Sequence, residues 1–397
     1  MVERTVVVVG GGIGGLAAAV ALCRVGWRAV VFERSAGFGE VGAGLSLWPN
    51  ALRALEALGV ADRVRALGAV ETAGGVRDRS GRWLSRVDNA EVARRHGLPL
   101  VVLRRADLVR VLAEAVPPGC LRSGDEVVGV RADGEGVAVE HRDGVVRADV
   151  VVGADGVHSG VRRRWWPEAS GARYAGYTAW RMITEPVDGP SEGAVVWGRG
   201  ERFGFTALSG GRWYCFGTAA VPAGGGGSDE REAVCRRFGG WPDPVPALLA
   251  AVPEGGVVRH DVHVLPPLAT YVRGRVALVG DAAHAMDPAL GQGAGQALED
   301  AVVLAACLGS AGTVESALAR YDRSRGPRTR AVARRSARLG RVARWSWPPA
   351  VAVRDLAARL TPAGATLRAM GPVLGWTPPV LPDGGDGRHR QGRARRA

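Results

Sequence analysis

The chain has 397 residues, 47% of them apolar, five cysteines and a formal charge of +13. That length and apolar content provide for two or three domains with a large core, and the odd, scattered cysteines (Cys23, Cys120, Cys215, Cys235 and Cys307), with no C-x-x-C pair, indicate neither a disulfide framework nor a zinc site and fit a reducing compartment. Ten arginines against one aspartate in 320–344 and five against one in 384–397 account for all of the charge, which reads as a solvated helix face and a disordered tail, since no aromatic residue interleaves the second run; the alternative is that these segments hold an acidic partner or nucleic acid.

In chain order, RTVVVVGGGIGGLAAAVALCRVGWRAVVFER predicts a strand, a glycine turn, a helix and a second strand ending at Glu33. Gly10, Gly12 and Gly15 occupy the G-x-G-x-x-G positions. Glycines there permit a tight turn and close backbone approach to a pyrophosphate, the helix N-terminus stabilises its charge, and Glu33 can accept from ribose hydroxyls. The run of apolar residues at the start is too short for a signal segment, and no later stretch approaches a membrane span, so a soluble, cytoplasmic protein is expected.

Helices are predicted over WPNALRALEAL (48–58), with Pro49 in the first turn, and LRRADLVRVLAEAV (103–116). Residues 119–153 alternate in short strand-like runs that end in ADVVVGADGVHSGVRR, and 173–220 carry an antiparallel-sheet pattern with turn glycines. After the PAGGGG loop (222–227) come helical DEREAVCRRF and PVPALLAAV, a strand from 275, helical segments over 291–345 and a short VRDLAARL helix. The order implies a discontinuous dinucleotide-binding domain (1–72, 98–170 and 263–345), a substrate-binding β-sheet domain (73–97 and 171–262), a C-terminal helical segment (346–382) and a disordered Arg-rich tail (383–397). Every basic residue apart from histidine is arginine, so no lysine is available for a Schiff base or other amine mechanism.

The segment GDAAHAMDPALGQGAGQALED (280–300) combines bare backbone with few polar side chains. Three motifs, GGGIGG, GADGVHS and GDAAHAMDP, together resemble the class A flavoprotein monooxygenases of the para-hydroxybenzoate hydroxylase type, which include the salicylate and urate hydroxylases, from residue 5 to about 345. The resemblance implies an α/β fold, with a Rossmann-type FAD-binding domain, an inserted antiparallel β-sheet substrate domain and C-terminal helices. It implies an FAD site made of Gly10, Gly12, Ile13, Gly14, Gly15, Glu33, Arg34, Arg105, Asp155, Gly156, Gly280, Asp281, Pro288, Gly291, Gln292, Gly293 and Ala294. Asp281 would accept from the ribityl chain, Pro288 would lie by the isoalloxazine, and the N–H groups around Gly291 to Gly293 would face its N1 and O2 edge. Fixed backbone donors at a helix N-terminus suit negative charge there. Arg104 competes with Arg105 for the pyrophosphate, and Asp155 can equally cap the helix that follows it. His158 and His284 are read as structural, since no nucleophile elbow accompanies them.

Arg202 and Tyr214 stand at the spacing of a polar pair in the flavin-dependent urate hydroxylases, whose WPN, RYAGY and GQG segments this chain also resembles; they are the catalytic candidates, against a surface strand charge and a core tyrosine. The acidic residue of that subgroup before the Leu-Gly-Gln-Gly run is Ala289 here. The implied activity takes NADH or NADPH and O2, forms a flavin C4a-hydroperoxide and hydroxylates an aromatic or heteroaromatic small molecule, with no metal, no nucleic acid, and a monomer or homodimer. The alternatives are epoxidation of an alkene or polyketide-like substrate, and a non-catalytic flavin-containing aromatic-binding protein. The absence of lysine disfavours halogenation.

Overall fold

Four consecutive valines, Val6 to Val9, suit a strand buried on both faces, as in a parallel sheet covered by helices. In the computed structural model, which describes residues 4–37, 43–190, 192–227, 229–310 and 312–382, they form β1 (Thr5–Val9), followed by α1 (Ile13–Arg24) and β2 (Arg28–Glu33). The tail expected at 383–397 lies outside the described residues. β3 (Gly44–Leu47), α2 (Pro49–Ala57), α3 (Ala61–Leu67) and β4 (Ala69–Val70) come next, then β5 (Ala73–Arg77), β6 (Trp83–Asp88), α4 (Asn89–His96), β7 (Val101–Arg104), α5 (Arg105–Ala115) and β8 (Leu121–Ser123). A meander of β9 (Val127–Asp133), β10 (Gly136–His141) and β11 (Gly144–Ala148) precedes β12 (Val150–Gly153) and α6 (Gly160–Trp165).

The second half begins with β13 (Arg173–Ile183), β14 (Ala194–Trp197), β15 (Glu201–Ala207), β16 (Trp213–Ala219), α7 (Glu230–Phe238), α8 (Val245–Ala250) and β17 (Val257–Val264). It closes with β18 (Val272–Arg273), β19 (Val276–Leu278), α9 (Asp281–His284), α10 (Gly293–Gly309), α11 (Val314–Ala343), α12 (Pro348–Leu360) and α13 (Ala363–Leu374). One sheet runs β18-β19-β12-β1-β2-β8 and is parallel except at β18. The other runs β17-β13-β16-β15-β14-β5-β6 and is antiparallel except where β14 meets β5. Period-two alternation sorts its side chains: Trp180, Met182, Phe203, Phe205, Trp213 and Cys215 pack on α7 and α8, while Tyr177, Arg181, Arg202, Tyr214 and Thr218 share the opposite face.

The helix α13 lies within the C-terminal segment expected to be helical (346–382), beyond the one short helix named there at 353–360. Its Gly364, Gly371 and Pro372 read as turn residues, and tertiary contacts override them. Arg328 donates to Pro372 O and Val373 O at 2.9 Å each, and Arg53 to Leu374 O at 2.7 Å.

Behind the parallel sheet, two adjacent carboxylates on α10 are fully buried. Arg325 of α11 donates to Asp300 and to Glu299 at 2.6 Å each, and all three are 0% exposed. Asp300 also accepts from Gly280 N (2.8 Å) and contacts His284 Nε2 (2.6 Å), while Glu299 accepts from Asn50 (2.8 Å), Gln296 (2.9 Å) and Arg328 (2.6 Å). Burial alone would raise both carboxyls; Arg325, with His284 at Asp300 and Arg328 at Glu299, reverses this, so both titrate below their ordinary values.

Replacing Arg325 with methionine strands two buried anions and should cost about 3–5 kcal/mol in urea unfolding; a loss below about 1 kcal/mol would show the charges to be relieved some other way. Because the folded carboxyls are depressed, their contribution is complete above their unfolded values of about 3.9 and 4.3 and is lost as the pH falls through the folded ones. In the methionine variant that acid-side loss should begin at a higher pH.

Candidate functional site

The turn after β1 is shaped by contacts that allow no side chain. Gly10 has φ +106°, and a Cβ there would lie 2.5 Å from Ala154 O; one at Gly15 would lie 1.9 Å from Gly10 O. Gly12 differs, because a Cβ there would meet nothing within 4 Å. The protein's own packing therefore does not require glycine at 12, while close approach of a ligand does. Helix α1 starts here with no side-chain cap and no acidic residue in its first turn, which leaves its positive end open to an anion. Ile13 puts its side chain in the core, and Gly14 lets α1 approach Ala297 of α10. Glu33 accepts from Gly11 N (2.7 Å) and Ser35 N (2.8 Å), fixing its carboxylate beside the turn, and Arg34 is exposed just beyond it.

The 280–296 segment presents a second such end. Gly280 is pinned by Asp300, Asp281 begins α9 with an exposed side chain, and Pro288 is exposed. Gln292 is buried at 1% exposure with its Oε1 accepting from Asn50 (3.0 Å). Helix α10 has no side-chain cap and no acid in its first turn, and a Cβ at Gly293 would meet nothing within 4 Å. The expectation for the amides needs one correction: Gly291 N donates to Pro288 O at 2.9 Å to close the turn. Among the described residues, the amides of Gln292, Gly293, Ala294 and Gly295 at this end have no partner. Gly291 contributes shape instead, through its left-handed φ of +62°.

Asp155 holds the start of the helix that follows it. Its Oδ2 accepts from Val161 N (3.0 Å) at the start of α6, while Oδ1 is buried without a partner among the described residues, beside Gly156 with φ +79°. Arg104 is committed to Asp107 by two bonds of 2.7 and 2.9 Å, and Arg105, half-buried next to it, donates its backbone N–H to Ala43 O (2.8 Å). His284 is absorbed by Asp300, and His158 packs edge-on against His263 at 5.2 Å.

Beside Asp287 lies the polar face of the antiparallel sheet. Arg202, 5% exposed, donates to Thr218 Oγ1 (3.3 Å), and its guanidinium carbon lies 5.9 Å from the Tyr177 ring centre. Arg344 stands 4.1 Å over the same ring and bonds Asp287 at 2.9 Å. Two guanidiniums thus share one carboxylate. The Tyr177 hydroxyl is buried without a hydrogen-bond partner among the described residues; burial and Asp287 raise its pKa well above the ordinary value against the opposing arginines, while burial lowers that of Arg202.

Tyr214 lies at a distance from Arg202. Arg202 pairs with Thr218 in the ladder and Tyr214 with Thr206, so four residues of strand, ~13 Å, separate the two along the sheet. The Tyr214 ring rests on Gly44, where a Cβ would lie 2.3 Å from its Cγ, and packs with Trp48, Ile183 and Leu208. Burial raises its hydroxyl pKa, opposed by Arg181. Sequence reasoning missed Tyr177, Asp287 and Arg344, and it did not single out Trp48, whose Nε1 lies 3.4 Å from the Cβ position of Gly291. The RYAGY, MDP and WPN segments contained three of these four, with no spacing to say that they meet.

The residues fit a long dinucleotide: two uncapped helix ends, two glycines facing open space, the exposed Asp281 and the orphaned Asp155 oxygen. Comparison with known proteins agrees. A family model described as an FAD binding domain matches residues 3–230 and 259–336. The aurachin C monooxygenase/isomerase of Stigmatella aurantiaca is 38% identical over 360 residues, covering 90% of this chain and 94% of that protein. The FAD-dependent urate hydroxylase of Klebsiella pneumoniae is 34% identical over 331 residues, covering 82% and 86%. The crystal structure of Klebsiella pneumoniae HpxO complexed with FAD and uric acid superposes with a TM-score of 0.87 at 30% identity, over 95% of this chain and 98% of that one.

Gly12→Ser and Gly293→Ala separate cofactor fit from folding. Serine is a good N-cap and alanine a better helix former than glycine, so the flavin-free proteins should be as stable as the parent or up to about 1 kcal/mol more so. FAD affinity, read by quenching of flavin fluorescence, should fall by at least about tenfold (~1.4 kcal/mol). Unchanged affinity in both variants would remove these glycines from the site.

Proposed function

The chain belongs to the FAD binding domain family, and on that premise we propose that this flavin-dependent monooxygenase hydroxylates a flat aromatic or heteroaromatic substrate bearing an ionisable ring oxygen, with NADH or NADPH as electron donor. FAD, when bound, supplies the oxygen chemistry. Gly12 and the α1 end would hold its pyrophosphate together with Arg105, Asp281 would hold the ribityl chain, and the Gln292, Gly293 and Ala294 amides the ring edge.

The observation that carries the substrate reading is the pair of guanidiniums, Arg202 and Arg344, set against the single carboxylate of Asp287 beside the polar face of the antiparallel sheet. An uncompensated positive charge in a buried pocket favours the anionic form of a ligand and lowers the pKa of a phenol or enol bound there. Such a proton can then leave without a carboxylate base, which accords with Ala289 at the position that is acidic in the urate hydroxylase subgroup. Arg202 therefore acts by charge on the bound substrate. Tyr214, at the far end, borders an apolar wall of Trp48, Ile183 and Leu208 that keeps water from the ring. The similar urate hydroxylase is named for a heteroaromatic substrate of this kind.

Anaerobic bleaching of bound FAD by NADH and NADPH, with and without phenols, quinolones and purines, identifies donor and substrate class together. With the substrate so found, Arg202→Gln should keep FAD bound, lower kcat/KM about 10- to 100-fold, and move the pH optimum about one unit alkaline. Intact coupled turnover in that variant would overturn the role given to Arg202.

A further inference from the structure

Helix α12 is inside out. Its polar side chains turn to the protein: Arg354, 3% exposed, donates to Gly198 O (3.1 Å) and Ala343 O (3.2 Å) and bonds Asp355 (2.8 Å), and Arg359 pairs with Asp78. Ala358 packs inward with Leu339 and Trp197, and most of the helix's other apolar residues turn outward. Val353, Leu356, Ala357 and Leu360 stand at i, i+3, i+4 and i+7, one stripe of the helix, and Val353, Leu356 and Leu360 are 63%, 56% and 72% exposed. Trp347 at its N-cap is 68% exposed and Trp345 39%. Scattered exposed apolar residues are ordinary, whereas a contiguous stripe with flanking tryptophans marks an interaction surface.

The surrounding charge selects the partner. Between residues 323 and 382 there are twelve arginines and a single carboxylate, Asp355, which Arg354 already holds. On the last turns of α11, just before Trp345, the side chains of Arg334, Arg335, Arg338 and Arg341 are exposed and make no hydrogen bond or ion pair with the described residues. An apolar stripe, interfacial tryptophans and uncompensated arginines with long apolar stems are the elements of a helix that lies in the headgroup region of an anionic bilayer. The same surface of a second copy would bring four more exposed arginines against these, and its one carboxylate, Asp355, is already held by Arg354.

We propose that the α11–α12 corner docks this protein peripherally on an anionic lipid surface, with the Val353, Leu356 and Leu360 stripe and Trp347 entering the interface. No helix among the described residues is long and apolar enough to cross a membrane, so the association is of the surface type and reversible.

Flotation of the FAD-loaded full chain with phosphatidylcholine vesicles, and with vesicles of two parts phosphatidylcholine to one part phosphatidylglycerol, tests this. Binding is expected to the mixed vesicles and to be weak on the neutral ones. Leu356→Glu with Leu360→Glu should lower partitioning at least about tenfold, and Arg335→Gln, Arg338→Gln and Arg341→Gln together about a hundredfold, at roughly fivefold per lost charge near the surface. NAD(P)H oxidation in vesicle-free solution should be unchanged in both variants. Equal binding by parent and variants, or no binding to the mixed vesicles, overturns the proposal. A dimer in sedimentation velocity that the leucine variant dissolves overturns it as well, because a second copy would then cover the stripe.

Discussion

Arg325 and the adjacent carboxylates Glu299 and Asp300 form the interaction on which the site depends. Three charges at 0% exposure are expensive to bury, and the arrangement is tolerable because nearly every oxygen and N–H has a partner. Those partners are the elements that carry the cofactor site. Asp300 fixes the Gly280 amide at the start of the 280–296 segment, and Glu299 fixes Asn50 of α2, which in turn holds Gln292 at the start of α10. Both ends of the flavin loop are therefore set by a single guanidinium from α11. A loop with so many small residues has little side-chain packing of its own, so its position has to be imposed from behind.

The same economy explains how much of the molecule was legible. The β1–α1–β2 unit shows in the sequence because Val6 to Val9 and the three glycines are local signals with one structural reading. The 280–300 segment reads as a wrap because it combines so much bare backbone with few polar side chains, and within it a Cβ at Gly293 would meet nothing within 4 Å. The donor pattern at the loop was not legible. Whether Gly291 N faces a ligand or its own turn depends on where Pro288 O lies, and that depends on the chain direction set by Ser336 and Asp287.

Long-range placement set the other limit. Arg202 and Tyr214 look like a pair at twelve residues' spacing, but they sit on neighbouring antiparallel strands, where register decides proximity, and the register opposes Arg202 to Thr218. Likewise nothing local links Tyr177, Asp287 and Arg344, which come from a strand, a loop and a helix end. The span of α13 within the expected C-terminal helical segment was not legible, because Gly364, Gly371 and Pro372 give no helix signal and arginines from α2 and α11 satisfy its last carbonyls.

Charge placement then ties the pocket to the outer surface. With no lysine in the chain, each cationic task falls to a guanidinium, and the tasks differ by environment. Arg325 is saturated and structural. Arg202 and Arg344 are buried but share one carboxylate, which leaves a residual field in the pocket. Arg334, Arg335, Arg338 and Arg341 are exposed with no acid near in sequence, which leaves a residual field at the surface. In each case the unpaired charge, not the total of +13, carries the functional information. The apolar stripe of α12 follows the last of these groups in the chain and faces away from the helix's own buried arginine, so its exposure follows from how the corner is built: turning the stripe inward would strand Arg354 and Asp355 in the apolar face and release the Gly198 and Ala343 carbonyls from their donor.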